Sequence, residues 1–441
     1  MLAAWRREAT ARLKAEGVAD PVAAAQELVG ETVGDYLDHL GAQIARSSLR
    51  RIAEMRRAGQ TRSEISNDYA AFLPYTLYLG ASFVTCNPTL VDIAWAIDPD
   101  LWTPIVDAII AAHPQADAAT LARLVTLEIV FANMRLLRPI FLLTEGEMGC
   151  VSLQVNPQKH GDAPTMIADA LAIYEELQAR LDGGVPNVVF KLPATRAGLE
   201  ACRALTARGI GVTITVNFGL FQHLRFVEAI AEGHAIFSTL AHMSGRLAFP
   251  VRDELLGKLD ELAAHGIDEA RARVAAAWSG VAVLKRLYAL MAARGYDFKR
   301  IRPLIASLRI YEGPLHAGLP SPFPDITEVV GTPIITVFPN VRHAFDRADG
   351  IALSPTQIEE PVPPTVLDVL AHSEIFKQAY YVADRAWVPV EDERFRPAYP
   401  LALEDEEAVA EWPPVRATLA EFSKSYDSLM QRILARRQAL H

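Results

Sequence analysis

Lys191 stands inside the apolar run "NVVFKLPAT", residues 187–195, where Val188, Val189, Phe190 and Leu192 are strand formers and a proline closes the run. A short continuous apolar run bounded by a turn signal reads as a strand covered on both faces. Burying an ammonium group there costs on the order of several kcal/mol unless it is paired, reaches solvent or loses its proton. Loss of the proton leaves a neutral amine, a nucleophile. Such chemistry needs a carboxylate that moves protons, and forked guanidinium groups suit a substrate phosphate.

Polar residues at the ends of the other short apolar runs fit these needs. Asp68 closes "SEISND", Thr85 and Asn87 close "ASFVTC", and Gln154 lies in "GCVSLQV". Thr213 and Thr215 in "GVTITV" are two apart and share a face of an extended strand. Arg246 follows "HAIFSTLA" in a turn, and Arg309 ends "RPLIASLR". Each also has an ordinary reading. Asp68 could cap a helix through "YAAFLPY", Asn87 could cap one through its Asn-Pro turn, and the threonines suit any strand. Gln154 could be a satisfied core amide, the arginines surface ion pairs, and Lys191 a snorkelling side chain.

With "TPIITVF" the short runs number eight, and most are separated by enough helical pattern for a crossover. Strand and helix in alternation over roughly 280 residues predict a closed (β/α)₈ TIM barrel, whose chemistry sits at the C-terminal ends of its strands. The rival, an open doubly wound sheet, usually carries a glycine-rich phosphate turn, and neither G-x-G-x-x-G nor G-x-x-x-x-G-K-[ST] occurs. The expected organisation is an N-terminal helical extension over residues 1–60 and a barrel over 61–345 with helical insertions at 98–147 and 250–300. An irregular, proline-rich segment and a C-terminal helix over 346–441 pack on the barrel, the helix starting near Val415 with an apolar stripe read as core.

The chain has 441 residues, 51% of them apolar and 22% charged, enough to bury a large core. A net charge of −10 argues against general affinity for nucleic acid or an anionic membrane, while leaving room for local basic pockets that take small phosphates. Cys86, Cys150 and Cys202 are odd in number and widely spaced, which predicts reduced thiols and a cytoplasmic location. The first residues mix charge into the apolar pattern, unlike a signal peptide, and no run of about 18 apolar residues lacks a charge, so no membrane span is expected. The eleven histidines form no H-E-x-x-H, and His234 and His242 are a poor ligand pair, so a divalent-metal centre is not expected.

"FKLPATRAGLEACRALTARGIGVTITVNFGLFQ" closely resembles the Schiff-base lysine segment of transaldolases and the related fructose-6-phosphate aldolases, where K-[IL]-P-A-T precedes a helix and a strand with two polar residues. "VTCNPTL" resembles the family's T-T-N-P-[ST]-[IL] segment and "IASLR" its A-S-F-R phosphate segment, collinear from about Ile65 to the C-terminal helix. The resemblance implies that Lys191 forms the imine, Asp68 moves the aldol proton and Thr215 positions water. It further implies that Thr85, Asn87 and Thr213 meet substrate hydroxyls, and that Arg246, Arg309 and Ser307 bind phosphate. The implied partner is a sugar phosphate; no metal or other cofactor is implied, and a homo-oligomer is allowed.

Several positions depart from the family pattern. Gln154 replaces the transaldolase glutamate, as in the aldolases, and an amide cannot take a proton from water. Thr213 replaces an asparagine, Cys86 a threonine, and Ala241 a phosphate-binding serine, while Met243 replaces an aromatic residue. His242 is weighed as a substitute acid/base against a solvent-facing turn histidine. Three readings follow: transfer of a three-carbon ketol unit between sugar phosphates, simple aldol cleavage or synthesis with a dihydroxyacetone-type donor, or a sugar-phosphate binding or scaffold protein without turnover.

Overall fold

A computed structural model of the chain describes residues 2–68 and 73–440. Among these residues, eight parallel strands close into a barrel in sequence order. They are β1 (Glu64–Asn67), β2 (Ala81–Thr85), β3 (Val151–Gln154), β4 (Val188–Pro193), β5 (Val212–Asn217), β6 (Ser238–Met243), β7 (Ile301–Ala306) and β8 (Ile334–Val337). β1 pairs with β8 at Ser66 and Thr336, which completes the ring. With helices alternating between the strands, the fold is a (β/α)₈ TIM barrel.

All eight apolar runs carry strands, and one is displaced. The sixth was expected over "HAIFSTLA", but pairing with β7 starts only where Ser238 meets Ile301 and continues to Met243 beside Ala306. Phe237, just before the strand, joins an apolar cluster with Phe83, Val189, Ala241, Leu304 and Ile334 that fills the barrel. The displacement puts "AHM" into the strand and moves Arg246 from a turn into the first turn of the Ser244–Leu256 helix.

Alternation along each strand sends the other apolar side chains, such as Phe190, Leu192, Val212 and Ile214, outward into the large core between sheet and helices. At the N-terminal end of the barrel a buried ion pair closes the interior. Glu64 accepts from Arg302 Nη1 at 3.1 Å and from Ser82 Oγ, with Arg56 3.5 Å away. Glu64→Ala would strand the Arg302 charge in a buried setting and is expected to destabilise the fold by about 3–5 kcal/mol, measured as a lower denaturation midpoint.

Before β1 the chain forms helices at Leu2–Ala15, Pro21–Arg46 and Ser48–Arg57, the last burying Leu49 and Ile52. The long β2–β3 connection holds helices Pro88–Ile97, Pro99–Ala112 and Ala118–Leu143, and the β6–β7 connection includes Glu269–Ala293. By length and composition that last helix could cross a membrane, but 78% of the relevant window is buried inside the protein. The C-terminal helix spans Pro413–Ala439, with proline in its first turn. Arg432 pairs with Asp92 at 2.8 Å and Arg436 forks onto Asp107 at 2.6 Å, fixing it against the β2–β3 helices.

Candidate functional site

Lys191 lies on the inward face of β4, level with Gln154 on β3 and Thr213 on β5. Two residues on, the strand ends and Thr195 caps the Arg196–Thr206 helix, accepting from Gly198 N at 3.1 Å. A Cβ on Gly198 would stand 1.9 Å from Pro193 O, so only glycine lets the helix begin this close above the lysine. The "KLPATRAG" pattern thus builds a strand, a tight cap and a helix that hold Lys191 near the barrel mouth.

Lys191 is only 5% exposed, and burial lowers its pKa against the opposing pull of Asp68 and Cys86; Arg246 lowers it further. Burial likewise raises the Asp68 pKa, while Lys191, the Thr85 hydroxyl and both arginines oppose the shift. Burial therefore shifts each group towards its neutral form, while their mutual attraction opposes the shift. Asp68 is held by a file of hydroxyls. Ser66 donates to Thr336 at 2.9 Å, Thr336 lies 2.9 Å from Thr85, and Thr85 donates to Asp68 Oδ1 at 2.6 Å. The helix cap expected for Asp68 through "YAAFLPY" falls at residues 69–72, outside the described residues.

Asn87 caps the Pro88–Ile97 helix, its Oδ1 accepting from Leu90 N at 3.1 Å, and it also lines a cavity at the barrel mouth. That cavity, of about 520 Å³, brings together Asp68, Thr85, Lys191, Thr215, Arg246 and Arg309, with Asn87 and Ser307 on its walls. Gln154 instead lines a narrow crevice that shares Lys191, Thr215 and Phe422 with the cavity. Its Oε1 is buried without a hydrogen-bond partner among the described residues, leaving an acceptor free for a donor entering the crevice. Thr213 is fully buried, accepts from Thr239 at 2.8 Å and is not part of either lining.

Arg246 and Arg309 come together across the mouth from β6 and β7. Gly245 makes the approach possible, since a Cβ there would lie 2.4 Å from Arg309 Cγ and 2.4 Å from Ser307 O. Ser307 has φ +59, a left-handed conformation costly for a residue with a Cβ, and its carbonyl accepts from Arg309 Nη1 at 3.1 Å. Buried Asp325 braces both segments, accepting from Ser244 Oγ and from the Arg309 amide at 2.9 Å. Burial pushes its pKa up to about 6.

Asp325→Ala would leave those two donors unpaired, and we expect a loss of about 2–4 kcal/mol in stability. A folded pKa above the unfolded value means that native protein binds this proton more tightly. Its contribution to stability is full below about pH 4 and falls as pH rises towards about 6. Denaturation midpoints of both proteins at pH 4 and pH 7 should therefore differ more at the lower pH.

Sequence reasoning missed the contribution of the C-terminal helix. Phe422 lies over the mouth, its ring centre 5.9 Å from Lys191 Nζ and 5.5 Å from Arg246 Cζ. Glu421 forks onto Arg246, with both oxygens at 2.6 Å. The stripe Val415, Phe422, Tyr426, Leu429 and Ile433 does bury as expected, but the pattern carried no signal that Phe422 covers a lysine. Val216 was missed as well. Its φ of +56 makes a bulge between Thr215, which lines the cavity, and Asn217, which points to His223.

His242 is neither a solvent-facing turn residue nor a cavity group. It lies in β6 on the face opposite Ala241 and Met243, fully buried, with Nδ1 3.1 Å from His223 Nε2. Burial pushes its pKa down to about 3, which keeps it neutral in a structural cluster behind the sheet. Cys86, Cys150 and Cys202 are buried free thiols, and burial raises Cys86 beside the lysine to about 12. Among the described residues, no group of three or more His, Cys, Asp or Glu side chains is arranged to hold a metal ion.

A parallel barrel whose mouth gathers a buried lysine, a carboxyl and two guanidinium groups suits amine chemistry on an anionic carbonyl compound. Residues 68–359 match the model of the Transaldolase/Fructose-6-phosphate aldolase family, more than half of the chain, and the chain belongs to that family. Transaldolase 2 of Nostoc sp. is 29% identical over 202 residues, covering 43% of this chain and 49% of that protein. The transaldolase of Neisseria meningitidis serogroup C is 30% identical over 206 residues, 42% of this chain and 55% of its own length. The Mycobacterium leprae transaldolase is 26% identical over 288 residues, 61% of this chain and 73% of that protein. The chain thus spans about half the length of the first two relatives.

Proposed function

We propose that this protein transfers a three-carbon ketol unit between sugar phosphates through an imine on Lys191. The observation that carries this reading is the buried lysine, with its lowered pKa, sharing one cavity with Asp68 and both arginines. Family membership and relatives named transaldolase support it.

In this mechanism neutral Lys191 Nζ adds to the ketose carbonyl carbon, and the resulting carbinolamine loses water to give a protonated imine. Asp68 takes the proton of the hydroxyl two carbons from that carbon. The bond between the carbon that bears this hydroxyl and the carbon next to the imine breaks, its electron pair flows to the imine nitrogen, and an aldehyde leaves. The enamine left on Lys191 adds to an incoming aldehyde with Asp68 returning the proton, and water then releases the new ketose. Thr215 and Gln154 position that water, Thr85 and Asn87 serve the hydroxyl end of the substrate, and Ser307, Arg246 and Arg309 hold its phosphate. Gln154 orients the attacking water without acting as its base, and the water's proton passes to the nitrogen of the carbinolamine. Phe422 keeps bulk water off the lysine.

Gln154 favours a second reading, aldol cleavage without a phosphorylated acceptor. Product analysis separates the two: the protein is incubated with a ketose phosphate, with and without an aldose phosphate. Transfer predicts a new ketose phosphate only with the acceptor and little free three-carbon product. Rapid release of a free three-carbon ketone without acceptor would reject transfer in favour of cleavage.

A further inference from the structure

The two arginines at the mouth are not equally available. Arg309 spends Nη1 on the carbonyls of Ser307 and Leu308, at 3.1 Å each. Arg246 has both Nη groups taken by the forked carboxylate of Glu421. The Arg246 hydrogen bonds hold that carboxyl below the usual range, and Arg309 adds to the effect. A forked carboxylate uses the same pair of N–H groups that two phosphate oxygens would use.

We propose that Glu421 is a specificity-determining residue, an internal counter-anion that a substrate phosphate must displace from Arg246. It thereby sets how strongly the site favours a phosphorylated ketose over the same ketose without phosphate. This rests on the reading of the cavity given above and goes beyond it in naming the group that tunes phosphate recognition. With Glu421 in place, Arg246, Arg309 and Glu421 together carry a formal charge of +1, against +2 for the two guanidinium groups alone. A phosphate dianion therefore meets a half-neutralised site, whereas an uncharged hydroxyl end loses little.

Displacement is a side-chain movement. The Glu421 side chain is 51% exposed and can turn into solvent, while its helix stays anchored by Arg432 on Asp92 and Arg436 on Asp107. Neighbouring Phe422 is 3% exposed and remains seated over Lys191 and Arg246. The phosphate end can thus exchange partners without uncovering the amine.

The test titrates inorganic phosphate calorimetrically into the wild type, Glu421→Gln and Glu421→Ala at fixed ionic strength. Both variants should bind phosphate about tenfold more tightly, as expected for removing one charge-assisted competitor at a partly exposed site. The gain should vanish when Arg246→Met is added. A kinetic arm follows the ratio of kcat/KM for a ketose phosphate to that for the free ketose, which should rise about tenfold in Glu421→Gln. Unchanged or weaker phosphate binding, or a gain that survives Arg246→Met, would overturn the proposal. If no ketose forms an adduct on the protein, the imine reading fails, while the phosphate titration still decides the role of Glu421.

Discussion

Lys191→Met is expected to abolish covalent capture of a ketose and to lower turnover by at least about 10⁴-fold, because no other group supplies the electron sink for carbon–carbon cleavage. Methionine fills a similar volume, so the barrel should persist, and the variant should gain stability at neutral pH. The lysine pKa is lowered on folding, so the folded chain binds this proton less tightly than the unfolded chain. That penalty applies wherever the unfolded lysine is charged; wild-type stability therefore rises with pH towards about 10, where the unfolded side chain loses its own proton. The advantage of Lys191→Met in denaturant should be clear at pH 7 and shrink as pH approaches about 10. A variant that is inactive and also unfolded would show that Lys191 serves the barrel rather than the chemistry.

Asp68→Asn should separate imine formation from bond cleavage. The amide keeps the shape and can still accept from Thr85, but it cannot take a hydroxyl proton. Turnover should fall by about 10²–10⁴-fold, the usual contribution of a positioned general base. Borohydride should still trap substrate on the protein, because the attack by nitrogen does not need the carboxylate to break a carbon–carbon bond. The pH profile supplies a second readout. Burial raises the Asp68 pKa, so the acidic limb of wild-type activity should lie above the ordinary carboxylate value near 3.9, with activity falling as pH drops through it. The variant should lack that limb. Loss of trapping together with turnover would instead assign Asp68 to imine formation.

Much of this layout was legible in the chain. Strands buried on both faces write themselves as short apolar runs, and eight of them alternating with helical pattern left few architectures open. Asp68, Thr85, Lys191, Thr215 and Arg309 stand at or near strand ends, so the barrel rule alone places them at one mouth. The boundary of β6 was less legible because "HAIFSTLA" and "STLAHM" are comparably apolar, and only pairing with Ile301 decides between them. His242 followed that error, since a strand position with a histidine neighbour looks the same in sequence as a turn.

The C-terminal helix marks a different limit. Periodicity reports that one face of the helix is buried, but not what lies beneath it. Phe422 has the same spacing as Tyr426 and Leu429, yet it meets Lys191 while they pack elsewhere. Glu421 lies beside that stripe and reads as a solvated carboxylate until the fold brings Arg246, 175 residues away, to it. The bulge at Val216 also has no local signature, since valine is among the residues least suited to a left-handed backbone.

The most direct test of the central claim is to incubate the protein with a ketose phosphate and borohydride, then map peptides by mass. The account predicts an irreversible adduct, one reduced ketose phosphate in mass, on the peptide that contains Lys191 and absent from Lys191→Met. An adduct on another lysine, or none while product still forms, would contradict it.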